Sequence, residues 1–188
     1  MKKKISAVLI IAICFSLHSF KLLNSKSIYV FSQGSVGFTT KGPLGTIKAE
    51  SKKLTGTFDT EKRTFSFSMP ILSFEGFQNS LQKKHFNEKY MESDKIPQAS
   101  FKGKIIEEVD FKTPGTYPVR AKGTMTIHGV DKEIIIKSKM TVKADQISIE
   151  SAFNVLLGDY NIKIPTIVSQ QVEDNIAVVV KLDMSPEK

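Results

Sequence analysis

The sequence predicts a single all-β domain, a small antiparallel barrel of eight or so strands with one short helix near residues 79–91. Three observations carry this. Apolar and polar residues alternate strictly over most of the chain, the mark of strands with one buried and one wet face. Glycine recurs on the inward side of several of these strands, at Gly45, Gly56, Gly103 and Gly123. Glycine there lets a strand bend sharply or approach a neighbour closely, as closing a sheet into a barrel requires. Finally, the 188 residues are enough for one ordinary domain and too few for two comfortable ones.

The elements follow in order. Val36 and Phe38 lie two apart and precede a Gly42-Pro43 turn. Gly45, Ile47 and Ala49 share a face, as do Leu54, Gly56 and Phe58. Phe65, Phe67, Met69 and Ile71 alternate with Thr64, Ser66 and Ser68, and Ala99, Phe101, Gly103 and Ile105 repeat the pattern. Val119, Ala121, Gly123, Met125 and Ile127 point one way, while Arg120, Lys122, Thr124, Thr126 and His128 point the other. After His128-Gly129 the pattern resumes at Ile134, Ile136, Met140 and Val142, which reads as an antiparallel hairpin with a tight turn. Ile147 to Val155 and Ile176 to Leu182 supply the last strands, for a count of eight or nine. Between strands 65–71 and 99–105, Leu81, Phe86 and Tyr90 are spaced by four and five among polar residues, with Asn79 or Ser80 as N-cap. That is a short amphipathic helix. It either covers one mouth of the barrel or caps the core from outside.

The N-terminus is of a different kind. Met1-Lys-Lys-Lys4 precedes an apolar run from Ile5 to Leu17, too short for a spanning helix of roughly 20 residues. Residues 1–20 therefore read as a secretory signal peptide, with cleavage somewhere between 16 and 25 and an uncleaved anchor as the alternative. Cys14, the only cysteine, lies inside this run and lacks a small residue before it. It suits an apolar filler better than a lipid-modified anchor. Removal of the leader leaves a chain with no thiol, without disulfides or cysteine-based catalysis.

Removing residues 1–20 also lowers the net charge of +8, leaving 24 basic against 19 acidic residues. Nearly all the bases are lysines, scattered along strands and turns; Arg63 and Arg120 are the only arginines. Nucleic-acid binders cluster such residues and interleave exposed aromatics, whereas these aromatics fall on inward faces. The reading is no nucleic acid, with peripheral contact to an anionic membrane left open. His85 and His128 have no paired histidine at metal-ligand spacing, so no metal is expected. No nucleophile elbow, triad motif or phosphate loop occurs, so the chain is not expected to be an enzyme. The alternative is an enzyme acting on an apolar substrate, with His85, His128 or a carboxylate as acid or base. What stands out is 13 phenylalanines and no tryptophan. Alternation leaves open whether the inward residues fill a core or line a channel.

Four stretches also carry a resemblance. "GTMTIHGV" (123–130) resembles the central signature of the YceI-like family. "FNEKYMESDKIPQASFKGKI" (86–105) resembles its helix-to-strand passage, "FNVLLGDYNI" (153–162) its penultimate strand, and "NIAVVVKLDM" (175–184) its closing strand. The likeness spans residues 27–184. It departs at Leu157, where members often carry a basic residue, and in the absent tryptophan. The resemblance implies a lipocalin-like eight-stranded barrel, exported to the periplasm or beyond the cell. A polyisoprenoid or similar long apolar chain would lie in its channel, and no other cofactor is expected. The wall of that channel would be Phe65, Phe67, Met69, Phe101, Val119, Met125, Ile127, Ile136, Met140 and Phe153. The resemblance leaves monomer and dimer both open.

Overall fold

A computed structural model describes residues 27–42, 45–164 and 173–187. The leader read over residues 1–20, Cys14 and Pro43 lie outside the described residues. Nine strands form one antiparallel sheet: β1 (Ile28–Gly42), β2 (Gly45–Ser51), β3 (Thr55–Asp59), β4 (Thr64–Pro70), β5 (Gln98–Ile105), β6 (Gly115–Ile127), β7 (Val130–Lys143), β8 (Gln146–Leu156) and β9 (Asn175–Pro186). From β3 to β9 each strand pairs with the next. β1 then pairs with β9, from Tyr29 opposite Pro186 to Thr39 opposite Ala177, and closes the sheet on itself.

Nine strands make an eight-stranded barrel because β2 and β3 share one position in the wall. β2 pairs with the upper half of β1 (Val36 opposite Ser51) and β3 with its lower end (Val30 opposite Thr57). Only β3 continues the ladder to β4. The outer edge of β2 is met instead by the connection from β4 to β5, through reciprocal backbone hydrogen bonds between Glu50 and Glu75. Ser51 is fully buried there, with its hydroxyl 2.6 Å from that of Ser73.

Closure needs tight bends, and one glycine pair supplies the clearest case. Gly103 on β5 sits opposite Gly123 on β6, between Phe65 and Ile134 in the same row. A Cβ on Gly103 would fall 2.6 Å from the Gly123 Cα and nearer still to the Lys122 carbonyl oxygen. The strands approach closer than any side chain permits. At the β6–β7 turn, His128 and Gly129 both have positive φ (51° and 72°), as a two-residue type I′ hairpin requires.

The helix predicted near residues 79–91 is present. Helix α1 (Ser80–His85) is capped by Asn79, whose Oδ1 accepts from the Gln82 amide at 2.8 Å, and a π-helical turn (Phe86–Tyr90) continues it. It lies at the end of the barrel that also holds the β6–β7 turn, here called the upper end. The lower end is shut. The β5–β6 connection folds inward, placing Val109 and Phe111 against the core, with the Phe58 and Phe111 rings 5.4 Å apart. Both arginines secure that connection. Arg63 donates to the Glu107 carbonyl at 3.1 Å, and Arg120 donates from Nε to the Glu107 carboxylate at 2.7 Å.

Candidate functional site

Inside the barrel is a cavity of about 510 Å³. Its deep end is formed by Phe58, Phe65, Ile105, Ala121, Ile149 and Leu182, all buried. Exposed Gly45, Gln78, Asn79, Leu81 and His85 mark where it opens, between the β1–β2 hairpin and α1. So the short helix stands at the rim of the cavity. Among the described residues no Asp, Glu, Lys or Arg lines it, and His85 at the rim is the one titratable base.

The lining is aromatic in two places. Phe65 stacks on Phe67 at 4.9 Å and meets Phe101 at 4.9 Å, a consequence of the Phe67–Phe101 register between β4 and β5. Higher up, Phe38 of β1 stacks on Phe86 at 5.4 Å, with Phe74 and Phe77 packed edge-on or tilted around them. These four rings fill the place where β2 leaves β4 unpaired. Such pairs add roughly 0.5–1.5 kcal/mol each beyond burial.

Of the ten residues proposed as a wall, Phe65, Phe67, Met69, Phe101, Met125, Ile127, Ile136 and Phe153 line the cavity. Val119 and Met140 do not. They are 2% and 0% exposed and pack with Tyr29, Ile147 and Met184 in the closed lower half. The reason is height. Alternation puts them on the inward face, but each stands one inward position below the last cavity-lining residue of its own strand, Ala121 on β6 and Ser138 on β7. Sequence reasoning missed Phe38, Phe74, Phe77 and Phe86 as wall residues. Three of these lie outside strands, and their one sequence signal is their density around the helix.

The upper rim is tied by His128. Its Nδ1 lies 3.1 Å from the Tyr160 carbonyl oxygen and its Nε2 3.3 Å from the Glu92 carboxylate, both acceptors to which a ring N–H donates. The ring joins the β6–β7 turn to two distant segments. The Lys95 ammonium, 2.8 Å away, lowers the Glu92 carboxyl below the usual range, and His128 adds to this. Burial raises the Tyr160 phenol, and the nearby Asp159 charge adds to it. His128 does not line the cavity, and among the described residues no group of three or more His, Cys, Asp or Glu could hold a metal.

One polar feature interrupts the inner wall. Ser138 of β7 and Ser151 of β8 face each other with hydroxyls 2.7 Å apart, and both line the cavity. The β7–β8 ladder ends at this pair. Above it β7 pairs only with β6, and β8 only with β9. Leu157, Tyr160 and Ile162 pack into the fork alongside Ile136 and Val155.

Residues 29–184 match the YceI-like domain as a sequence family. No curated protein matches the chain. Among solved structures it is similar to a polyisoprenoid-binding domain from Saccharophagus degradans, at 12% identity and a TM-score of 0.71, covering 86% of this chain and 99% of that one. It is also similar to BcnA of Burkholderia cenocepacia (14% identity, TM-score 0.66, 80% and 95% covered). A third similar structure is the YceI protein of Campylobacter jejuni (18% identity, TM-score 0.59, 76% and 86% covered).

Proposed function

The chain belongs to the YceI-like domain family, and on that premise we propose that it holds a polyisoprenoid or similar long apolar chain inside the barrel, for transport, storage or protection under stress. The observation that carries this reading is the cavity itself: about 510 Å³, lined by aromatic and aliphatic side chains and, among the described residues, by no carboxylate, lysine or arginine. Burying an apolar chain there yields roughly 25 cal/mol per Å² removed from water. A charged head group would find no counter-ion inside and would stay at the rim, beside Gln78, Asn79, Gln82 and His85. The same lining argues for a carrier over an enzyme, since among the described residues no acid–base pair faces the interior.

In this reading the protein is exported and meets a membrane. The outer wall supports the second point. Register sets Lys104 directly opposite Lys122 and Arg120 opposite Lys137. Glu133 and Glu107 match Lys122 and Arg120, which leaves Lys104 and Lys137 without a carboxylate among the described residues and open to an anionic surface. Exposed Ile135 lies beside Lys122. The test is organic extraction and mass spectrometry of protein purified from its own host. A long-chain isoprenoid or related lipid is the expected result. An empty protein that takes up no polyprenol from vesicles would overturn the proposal.

A further inference from the structure

We infer that Ser138 and Ser151 form a subsite, deep in the cavity, for an uncharged hydrogen-bonding group carried on the buried part of the bound chain: a hydroxyl, a carbonyl or a primary amide. The inference rests on the chain-binding reading above and adds what the chain must carry.

Height comes first. The pair stands one row above Met140 and Ile149, and Ile149 belongs to the deep end of the cavity. In the same row, Val119 and Val180 flank the two serines. Other hydroxyls touch the cavity but are placed differently. Ser68 and Ser100 sit opposite each other on the outward parity of β4 and β5, and Thr40 donates to the Glu173 and Lys41 carbonyls near the upper end. Ser138 and Ser151 alternate with Ile136, Met140, Ile149 and Phe153, so their side chains face inward.

Hydrogen-bond counting comes next. Two hydroxyls hold two donors and four acceptor sites. One donor is spent between the pair at 2.7 Å. The other hydroxyl keeps its hydrogen, and among the described residues neither side chain has a further partner. Both are half-buried and reachable from the cavity. The pair can therefore give one hydrogen bond and accept others. A carboxylate or phosphate would suit the free donor, but among the described residues no lysine or arginine lines the cavity to offset its charge, so the group is neutral. A wholly hydrocarbon chain would leave the second hydroxyl hydrogen dry and unpaired, which costs affinity.

The experiment is competition against N-phenyl-1-naphthylamine, an uncharged apolar fluorophore, by 1-dodecanol and by dodecane. The proteins are the parent, S138A, S151A and S138A/S151A. T116V/T141V, which removes an outward hydroxyl pair between β6 and β7, serves as control. The parent is expected to bind dodecanol more tightly than dodecane. The double variant should lose about five- to tenfold toward dodecanol and nothing toward dodecane, with each single variant between. The control should match the parent. Thermal melts separate a loosened fork from a lost contact, because a purely structural clasp would move both ligands together. Equal binding of the two ligands by the parent, or equal losses in the double variant, overturns the subsite and leaves the chain-binding reading intact. If neither ligand displaces the fluorophore from the parent, both readings fall.

Discussion

Replacing Gly103 with alanine tests how the barrel closes. The new methyl would lie 2.6 Å from the Gly123 Cα and closer still to the Lys122 carbonyl oxygen, both backbone atoms that no rotamer change can move aside. β5 and β6 would have to separate by about 1 Å at that row, where ordinary carbon contacts are 3.5–4.0 Å. Stretching two flanking ladder bonds costs about 1 kcal/mol each. Overpacking adds about 1–3 kcal/mol. The expected loss is therefore about 3–5 kcal/mol, a drop of roughly 10 °C or more in Tm for a domain of this size. Urea and thermal denaturation followed by circular dichroism would measure it. Gly158, where an added Cβ meets nothing within 4 Å, is the matched control, and alanine there should change stability by no more than about 0.5 kcal/mol. A Gly103→Ala protein within about 1 kcal/mol of the parent would refute the close approach and this account of closure.

His128 should divide into a backbone part and a ring part. H128A keeps the left-handed strain that His128 already bears and loses the ties to Tyr160 and Glu92, about 1–2 kcal/mol; H128G loses the same ties but sheds about 1 kcal/mol of that strain and should be the more stable of the two in the same denaturation assay. Acid stability should depend on Glu107. Although burial opposes it, hydrogen bonds from Arg120 hold this carboxyl below its ordinary value of 4.5. A lowered folded-state value means the stabilisation is complete above pH 4.5 and lost as pH falls through the folded value. Urea midpoints between pH 6 and 3 should therefore fall less steeply for E107Q than for the parent. V178W, which enlarges a cavity-lining side chain facing Phe38 and Phe153, should abolish fluorophore uptake while leaving a cooperative melt; full uptake would show that the probe binds elsewhere.

Period-two alternation made most of the barrel legible, because inward and outward faces are written one residue apart. β4 to β9 follow it without interruption. The lower half of β1 does not. A bulge between Phe31 and Gln33 shifts the register, so Tyr29 and Phe31 face inward on one parity and Val36 and Phe38 on the other. A strand that changes parity midway has no visible period. The connection that seals the lower end was illegible too, since Val109 and Phe111 plug the core without any repeat. At the site, alternation named the face and not the height. Met125 and Met140 read alike in sequence, yet one lines the cavity and the other is sealed beneath it. Ser138 and Ser151 are a matter of register, and nothing in either residue's neighbourhood announces the other.

The seam between β1 and β9 sets the order in which this molecule can assemble. Every strand pairing from β3 to β9 joins consecutive strands, and those joined by short turns can form as hairpins on a scale of microseconds each. The seam that sets Val36 against Val180 joins opposite ends of the domain. Its loop-closure entropy is the largest in the fold, and its ladder is also among the longest. Until it forms, β1 and β9 are open edges and the cavity is a trough exposed to water. Folding should therefore be slow for a domain of this size, with a late rate-limiting step in which the last strand meets the first. An apolar chain already lying in the trough would favour that step, so loading and closure would be one event.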